Sequence, residues 1–459
     1  MIYMVNKKTF ISNVVKEIKS SNTSLFLGAG VSKGAGFVGW KSLLSDIASE
    51  LGLKIEKEHD LISIAQYYTN KQKSRQKINQ KIIDEFGQNA RRNELLSLLC
   101  QLPINSIWTT NYDHLIENEY KILNKILDVK IREQDFSISK HNKDSTLYKL
   151  HGDISQPNET VITRDDYEQF ESNKELFIKY LISELVTHTF IFIGYSFNDP
   201  NLNHILSKVR RKLKDCQRTH YFIVKKEKKS YEKLRQRLKI EDLENYGVHT
   251  LEIKDFDELV NIFTEIRNGV YSNNVFISGS AVEYDDYDKP EVAKQFITNL
   301  AETLIQNDFT LVNGFGIGVG EYIVQGIVRG LSIKNNIPDN PFILKVFPQK
   351  IDNLNDKSKM WTSLREYMIT QSRTAIFMFG NKMSDKGIVL ASGMEEEFKL
   401  ALKHKLQIIL IKSTGYITVK FAESYTELEE DKKNITIISD NHPTDIIESI
   451  IKKLKSIRG

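Results

Sequence analysis

The sequence predicts an α/β chain made of two parallel-sheet units in tandem, and three observations carry that expectation. Its 459 residues are near three times the ~150-residue domain prior. Short β-branched and aromatic runs alternate with longer helical patterns, which is the punctuation of strand–helix–strand units. The alternation breaks at Asn268-Gly269 and a polar stretch at 272–274, then starts again, so the units are expected at 1–270 and 271–459.

In the first unit the expected strands are SLFLG (24–28), INSIWTT (104–110), STLYKL (145–150), TFIFIG (189–194), HYFIVK (220–225) and VHTLEI (248–253). Helices on both faces of a parallel sheet follow from the lengths between them. The charged segment 225–247 reads as a solvated helix face. In the second unit, VFISGSA (275–281) precedes a helix near 290–307, and FTLVNGFGIGVG (309–320) opens another that runs to about 331. FILKVFP (342–348), TAIFMFG (374–380) and QIILIKS (407–413) complete the set, and 422–434 reads as a surface loop or helix.

Composition narrows the function classes. Lys and Arg total 64 against 60 Asp and Glu, a net charge of +4, so nothing demands a nucleic-acid partner. Two cysteines, Cys100 and Cys216, exclude a disulfide framework and any zinc site of three or four cysteines. No metal site is expected, and a reduced cytoplasmic setting fits. The N-terminal MIYMVNKKTFISNVVKEIKSS lacks the apolar core of a secretory signal. The longest apolar stretches, at 190–197 and 407–411, fall far below the ~18 residues that cross a bilayer, so no membrane association is expected.

The strand SLFLG runs into Gly28-Ala29-Gly30-Val31-Ser32-Lys33-Gly34-Ala35-Gly36. Glycines at such a turn let the backbone approach a pyrophosphate near the amides of a helix start. The spacing is G-x-G-x-x-x-G rather than the dehydrogenase G-x-G-x-x-G, and no well-placed acid follows a second strand, which disfavours hydride transfer. Three further polar clusters follow strands: Thr110-Asn111-Tyr112-Asp113, Lys149-Leu150-His151-Gly152-Asp153, and the run from Gly194 to Pro200, with Asp199 as helix N-cap. All four stand at strand carboxyl ends, where open α/β sheets bind ligands.

GAGVS, TTNYD, KLHGD and GYSF, in that order, resemble the NAD-binding and catalytic motifs of the sirtuin fold, over roughly residues 10–265. The resemblance implies that Gly28, Ala29, Gly30 and Ser32 face the NAD phosphates, Asn111 and Asp113 the nicotinamide ribose, and Gly194 and Ser196 the adenosine. It makes His151 the catalytic base. Two features depart from protein-deacylating sirtuins: the four-cysteine zinc module is missing, and Phe37-Val38-Gly39-Trp40 stands where a Phe-Arg pair is usual. What remains is machinery to bind NAD+ as substrate and cleave its nicotinamide bond. That cleavage passes through an oxocarbenium-like state with a leaving group that already carries positive charge, so a base and a positioned water suffice. Histidine titrates in the physiological range, so His151 suits the base while Asn111 orients water or a ribose hydroxyl. His114, His188 and His220 read as structural.

The second unit places Gly279 and Ser280 at one strand end and Gly314, Gly316, Gly318 and Gly320 at the next, a pattern suited to a nucleotide. Arg365, Lys382 and the run Gly393-Met394-Glu395-Glu396-Glu397-Phe398 lie near later turns. Met394, Phe398 and Leu402 share a core-facing helix side, with Glu397 at its edge, where it would meet a ribose hydroxyl. Acids in a first helical turn also favour the helix dipole, which leaves each of the three glutamates open to either reading.

This half resembles the SLOG family of nucleotide-sensing domains. The fold class is therefore two tandem Rossmann-like units, sirtuin-like without a zinc module and then SLOG. That order resembles the NAD-consuming effectors of the bacterial Thoeris antiphage system. The resemblance implies an NAD+ hydrolase activated by a cyclic ADP-ribose isomer that a TIR-domain partner makes. It also implies a homo-oligomer, a tetramer, and no true cofactor. The activator would be lined by Gly279, Ser280, Ile317, Arg365, Lys382, Gly393 and Glu397. Two rival readings are an NAD-dependent deacylase or ADP-ribosyltransferase, and a non-catalytic nucleotide-binding scaffold.

Overall fold

Alternation of side chains along the strands sorts the faces of both sheets in the computed structural model. It describes residues 4–458 apart from 38, 89–90, 285–286, 288, 335–339, 349–353, 386, 426–433 and 441. Val38 and most of the segment 422–434 therefore lie outside the described residues. The chain divides into two compact units, Met1–Val270 and Tyr271–Gly459.

The first unit holds β1 (Thr23–Leu27), β2 (Ser106–Thr109), β3 (Leu127–Lys130), β4 (Ser145–Lys149), β5 (Thr189–Ile193), β6 (His220–Lys225) and β7 (Val248–Ile253). They form a parallel sheet in the order β3-β4-β2-β1-β5-β6-β7. The two-residue period of a strand sends Leu25, Ile107, Leu147 and Ile191 to one face and Phe26, Trp108, Tyr148 and Phe192 to the other. The aliphatic face packs on helices Lys7–Lys19, Glu94–Gln101 and Phe256–Val270, the aromatic face on Glu175–Thr187 and Pro200–Leu213. Trp108 stacks on Tyr148 at 4.3 Å. Its indole N–H also donates to buried Glu184, which accepts from Ser24 and Ser106 as well and so ties β1 and β2 to helix Glu175–Thr187.

Two features of this topology create the site. The chain goes from β1 to β2 and β4 on one side, then crosses to β5 on the other side of β1, opening a crevice at the carboxyl ends of β1 and β5. Between β1 and β2 it builds a helical module with its own core, in which Leu44, Ile47, Ile64, Ile78 and Ile82 enclose Tyr112. The segment 225–247 forms helix Ser230–Glu244, with only Ile240 and Leu243 buried among its described residues.

The second unit holds β8 (Asn274–Ser280), β9 (Thr310–Asn313), β10 (Phe342–Leu344), β11 (Thr374–Phe379), β12 (Asn381–Ser384), β13 (Gly387–Leu390), β14 (Gln407–Ile411) and β15 (Ile435–Ile438). Six of them make a parallel sheet in the order β10-β9-β8-β11-β14-β15, while β12 and β13 pair as an antiparallel hairpin. Helices Pro290–Gln306, Gly320–Ile333 and Pro443–Arg458 cover the face of Val275, Ile277 and Ile376. Helices Leu354–Thr370, Ser392–Lys403 and Ile417–Tyr425 cover Phe276, Phe377 and Leu410. Both units are thus doubly wound α/β folds. Among the described residues, no helix is long and apolar enough to cross a membrane.

Candidate functional site

The glycine turn after β1 is locked against the turn after β5. Gly28 N–H donates to the Ile193 carbonyl at 2.9 Å and Gly30 N–H to the Gly194 carbonyl at 2.8 Å. A Cβ on Gly30 would stand 2.6 Å from Gly194 Cα, so these glycines allow two backbones to touch. The helix that follows, Ala29–Lys33, has only five residues and offers little dipole for a phosphate. Ser196, on the far side of the β5 turn, is exposed, and its carbonyl accepts from Lys239.

Ser32, Asn111 and Asp113 form one hydrogen-bonded group across this turn. Ser32 Oγ donates to Asp113 Oδ2 at 2.8 Å and accepts from Asn111 Nδ2 at 2.9 Å. The second Asp113 oxygen accepts from Leu115 N–H at 3.0 Å, so this buried carboxylate positions Ser32 and a helix start. Asn111, half-buried, keeps its side-chain oxygen free of any hydrogen bond among the described residues. The loop beneath is held by Lys149, fully buried, whose ammonium donates to the carbonyls of Tyr112 (3.1 Å) and Asp113 (2.6 Å) and pairs with Glu117 (3.0 Å) and Asp153.

His151 follows β4 and is 2 % exposed. Its Nε2 lies 2.9 Å from Asp199 Oδ2. Asp199 also caps helix Pro200–Leu213, with Oδ1 accepting from Asn201 and Leu202 N–H. Burial alone would raise its carboxyl, but the contact with His151 and the two amides hold it below the usual carboxylate range. An ionised Asp199 favours a proton on Nε2, which leaves the Nδ1 lone pair available as a base. His151 Nδ1 and the Tyr195 hydroxyl are buried polar atoms without a hydrogen-bond partner among the described residues. An unmet group of this kind costs about 1–3 kcal/mol, so His151 Nδ1 suits a polar ligand.

His114, expected to be structural, places Nε2 2.9 Å from Asp153 Oδ1, and that hydrogen bond raises the imidazole pKa. With Glu117 and Asp153 it forms a compact His-Glu-Asp group, but the Lys149 ammonium already neutralises those carboxylates and makes a second cation costly there. A cleft of about 450 Å³ beside His114, lined by Phe37, Arg91, Asn118 and Ser155, does not include Ser32, Asn111 or His151 among its walls.

In the second unit the structure brings Gly279, Ser280, Ile317, Arg365, Lys382, Gly393 and Glu397 to one cleft of about 580 Å³ at the carboxyl ends of β8 and β9. The glycine loop lies directly on β8: a Cβ on Gly316 would stand 2.0 Å from the Gly279 carbonyl. Arg365 is buried between Phe347 and Trp361, its guanidinium 5.0 and 5.7 Å from their ring centres. Glu397 accepts from Ser278 Oγ at 2.6 Å, and burial raises its carboxyl pKa. Lys382 reaches in from the β12–β13 hairpin and donates to Ser392 Oγ at 2.8 Å.

Family models match this chain twice: a SIR2-like domain at residues 105–251 and the Sir2- and TIR-associating SLOG family at 258–457. The NAD(+) hydrolase ThsA of Bacillus cereus (strain MSX-D12) is 39% identical over 419 residues, covering 89% of this chain and 87% of that protein. The chain belongs to the ThsA family. ThsA of Cytobacillus dafuensis is 36% identical across 99% of this chain and 97% of its own length, and that of Enterococcus faecium 38% across 89% and 88%. Both halves of this ThsA-family chain, SIR2-like then SLOG, thus have their counterparts in those relatives. The sequence suggests only a helix cap for Asp199 and no role for Lys149; in the ThsA-family fold Asp199 meets His151 and Lys149 holds the Asn111 loop.

Proposed function

We propose that the first unit hydrolyses NAD+ to nicotinamide and ADP-ribose, and that a cyclic ADP-ribose isomer bound in the second unit activates it. The observation that carries the catalytic half is His151, buried, with Nε2 against Asp199 and Nδ1 unpartnered at the end of β4. In this reading Nδ1 takes the proton of the attacking water or of a ribose hydroxyl, and Asp199 stabilises the resulting imidazolium. Asn111 uses its free side-chain oxygen to orient that hydroxyl. Ser32 and the Gly28–Gly30 backbone border the phosphates, Gly194 and Ser196 the adenosine, and Asp113 acts by positioning Ser32. The names of the ThsA relatives support NAD+ as the substrate.

The sensing half rests on the cleft's chemistry. A planar Arg365 and Lys382 suit a pyrophosphate, a buried carboxylate suits a ribose diol, and exposed Phe315 and Ile317 offer an apolar wall for a base. The proposal includes a TIR-domain protein as the source of the activator, a cytoplasmic setting, and a tetramer whose packing the ligand shifts. Activation then requires that the ligand bind the active arrangement more tightly than the resting one. Incubating the protein with NAD+ and each cyclic ADP-ribose isomer, then quantifying nicotinamide, tests both halves. NAD+ left intact under every isomer would sink them.

A further inference from the structure

The three consecutive glutamates of helix Ser392–Lys403 have three different partners. Glu395 pairs with Lys420, Glu397 with Ser278, and Glu396 turns to the cleft's arginine. Glu396 Oε2 is 2.6 Å from Arg365 Nη1, while its other oxygen accepts from Thr362. Arg365 is 8 % exposed at the side chain but Glu396 is 37 % exposed, so only the acid faces water and is free to swing out. Glu397 Oε1 stands 3.5 Å from Arg365 Nε, a charge contact that leaves Nε without a hydrogen bond. Gly393 completes the seat: a Cβ there would meet Arg365 Nη2 at 2.9 Å.

We infer that Glu396 is an internal stand-in for the ligand's pyrophosphate, neutralising Arg365 until an incoming anion displaces it. The inference rests on the proposed sensor role of this cleft. Two carboxylates sharing one buried guanidinium leave little net positive charge to attract a dianion, so a ligand must supply more than Glu396 does. The acid thereby sets the affinity of the cleft and rejects singly charged or weakly bidentate anions. Phe347 and Trp361 hold the guanidinium in place during the exchange, so the swap needs only a rotamer change at Glu396.

Glu396→Gln keeps the side-chain size and an acceptor for Thr362 but removes the charge. Calorimetric titration of the full chain with a panel of cyclic ADP-ribose isomers, and with inorganic pyrophosphate, reads the effect. The expected result is binding about tenfold or more tighter than wild type for the isomer that binds, with a parallel gain for pyrophosphate. Unchanged or weaker binding would overturn the stand-in role. Arg365→Ala run alongside separates the two claims. If it loses the isomer while Glu396→Gln changes nothing, only the role of Glu396 fails; if it binds at wild-type affinity, or if no isomer binds wild type, the sensor reading itself fails.

Discussion

His151 Nε2 and Asp199 Oδ2 lie 2.9 Å apart, although β4 and β5, which carry them, are separated in the sheet by β2 and β1. The contact divides Asp199 between two tasks, one oxygen for a helix start and the other for the imidazole. Asp199→Asn keeps the capping acceptor and removes the charge. Turnover is expected to fall about 10²-fold or more, with KM little changed. A wild-type kcat would show that His151 works without its partner.

His151→Ala and Asn111→Ala each remove a group that touches the reacting atoms in this account, and both should abolish NAD+ loss. Circular dichroism and melting should match wild type for Asn111→Ala, since its amide serves Ser32 alone. Full activity in either variant would move the site elsewhere.

Arg365→Ala or Lys382→Ala should raise the activator concentration for half-maximal turnover by about 10–100-fold, the worth of one charged hydrogen bond. The maximal rate at saturating ligand should remain near wild type, because both residues belong to the second unit. Dose–response curves of nicotinamide release check this.

Lys149 is a buried cation among four partners, and Lys149→Met strands Asp153 and Glu117. A loss of about 3–5 kcal/mol in unfolding free energy is expected. Double substitution with Glu117→Leu should recover part of it, as denaturant titration would show.

His220 has a pKa pushed down to about 3, by burial first and then by the charges of Arg218 and His249. Its Nδ1 accepts from Phe190 N–H, which needs the neutral ring. Above the ordinary value near ~6.5 neither state is protonated and this histidine costs nothing. As pH falls below it, the unfolded chain takes up a proton that the folded chain refuses until about 3, so stability drops by about 1.4 kcal/mol per pH unit. His220→Asn retains an acceptor, and its stability difference from wild type should shrink from pH 7 to pH 5.

The strands with strong apolar runs were legible in the sequence, and so was the clustering of motifs at strand ends. β3 was not, because a four-residue edge strand holding the Asp128–Lys130 ion pair carries little hydrophobic signal. The β12–β13 hairpin has strands of only four residues, NKMS and GIVL, too short to show a period. At the candidate site, motif order pointed to His151 and Asn111, but the second task of Asp199 depends on how loops from distant strands arch together. The glutamate run shows the same limit: helical spacing cannot tell which of Glu395, Glu396 and Glu397 meets a lysine, an arginine or a serine. Three neighbouring elements decide that: helix Leu354–Thr370 presents Arg365 and Thr362, helix Ile417–Tyr425 presents Lys420, and β8 presents Ser278.

The central claim, that His151 drives hydrolysis of NAD+ under control of a cyclic nucleotide, is tested most directly by mass spectrometry of the products. Wild-type protein, NAD+ and the activating isomer should yield nicotinamide and ADP-ribose in equal amounts, and His151→Ala should yield neither. Nicotinamide release that requires an acetylated peptide, or NAD+ that survives every isomer, would contradict it.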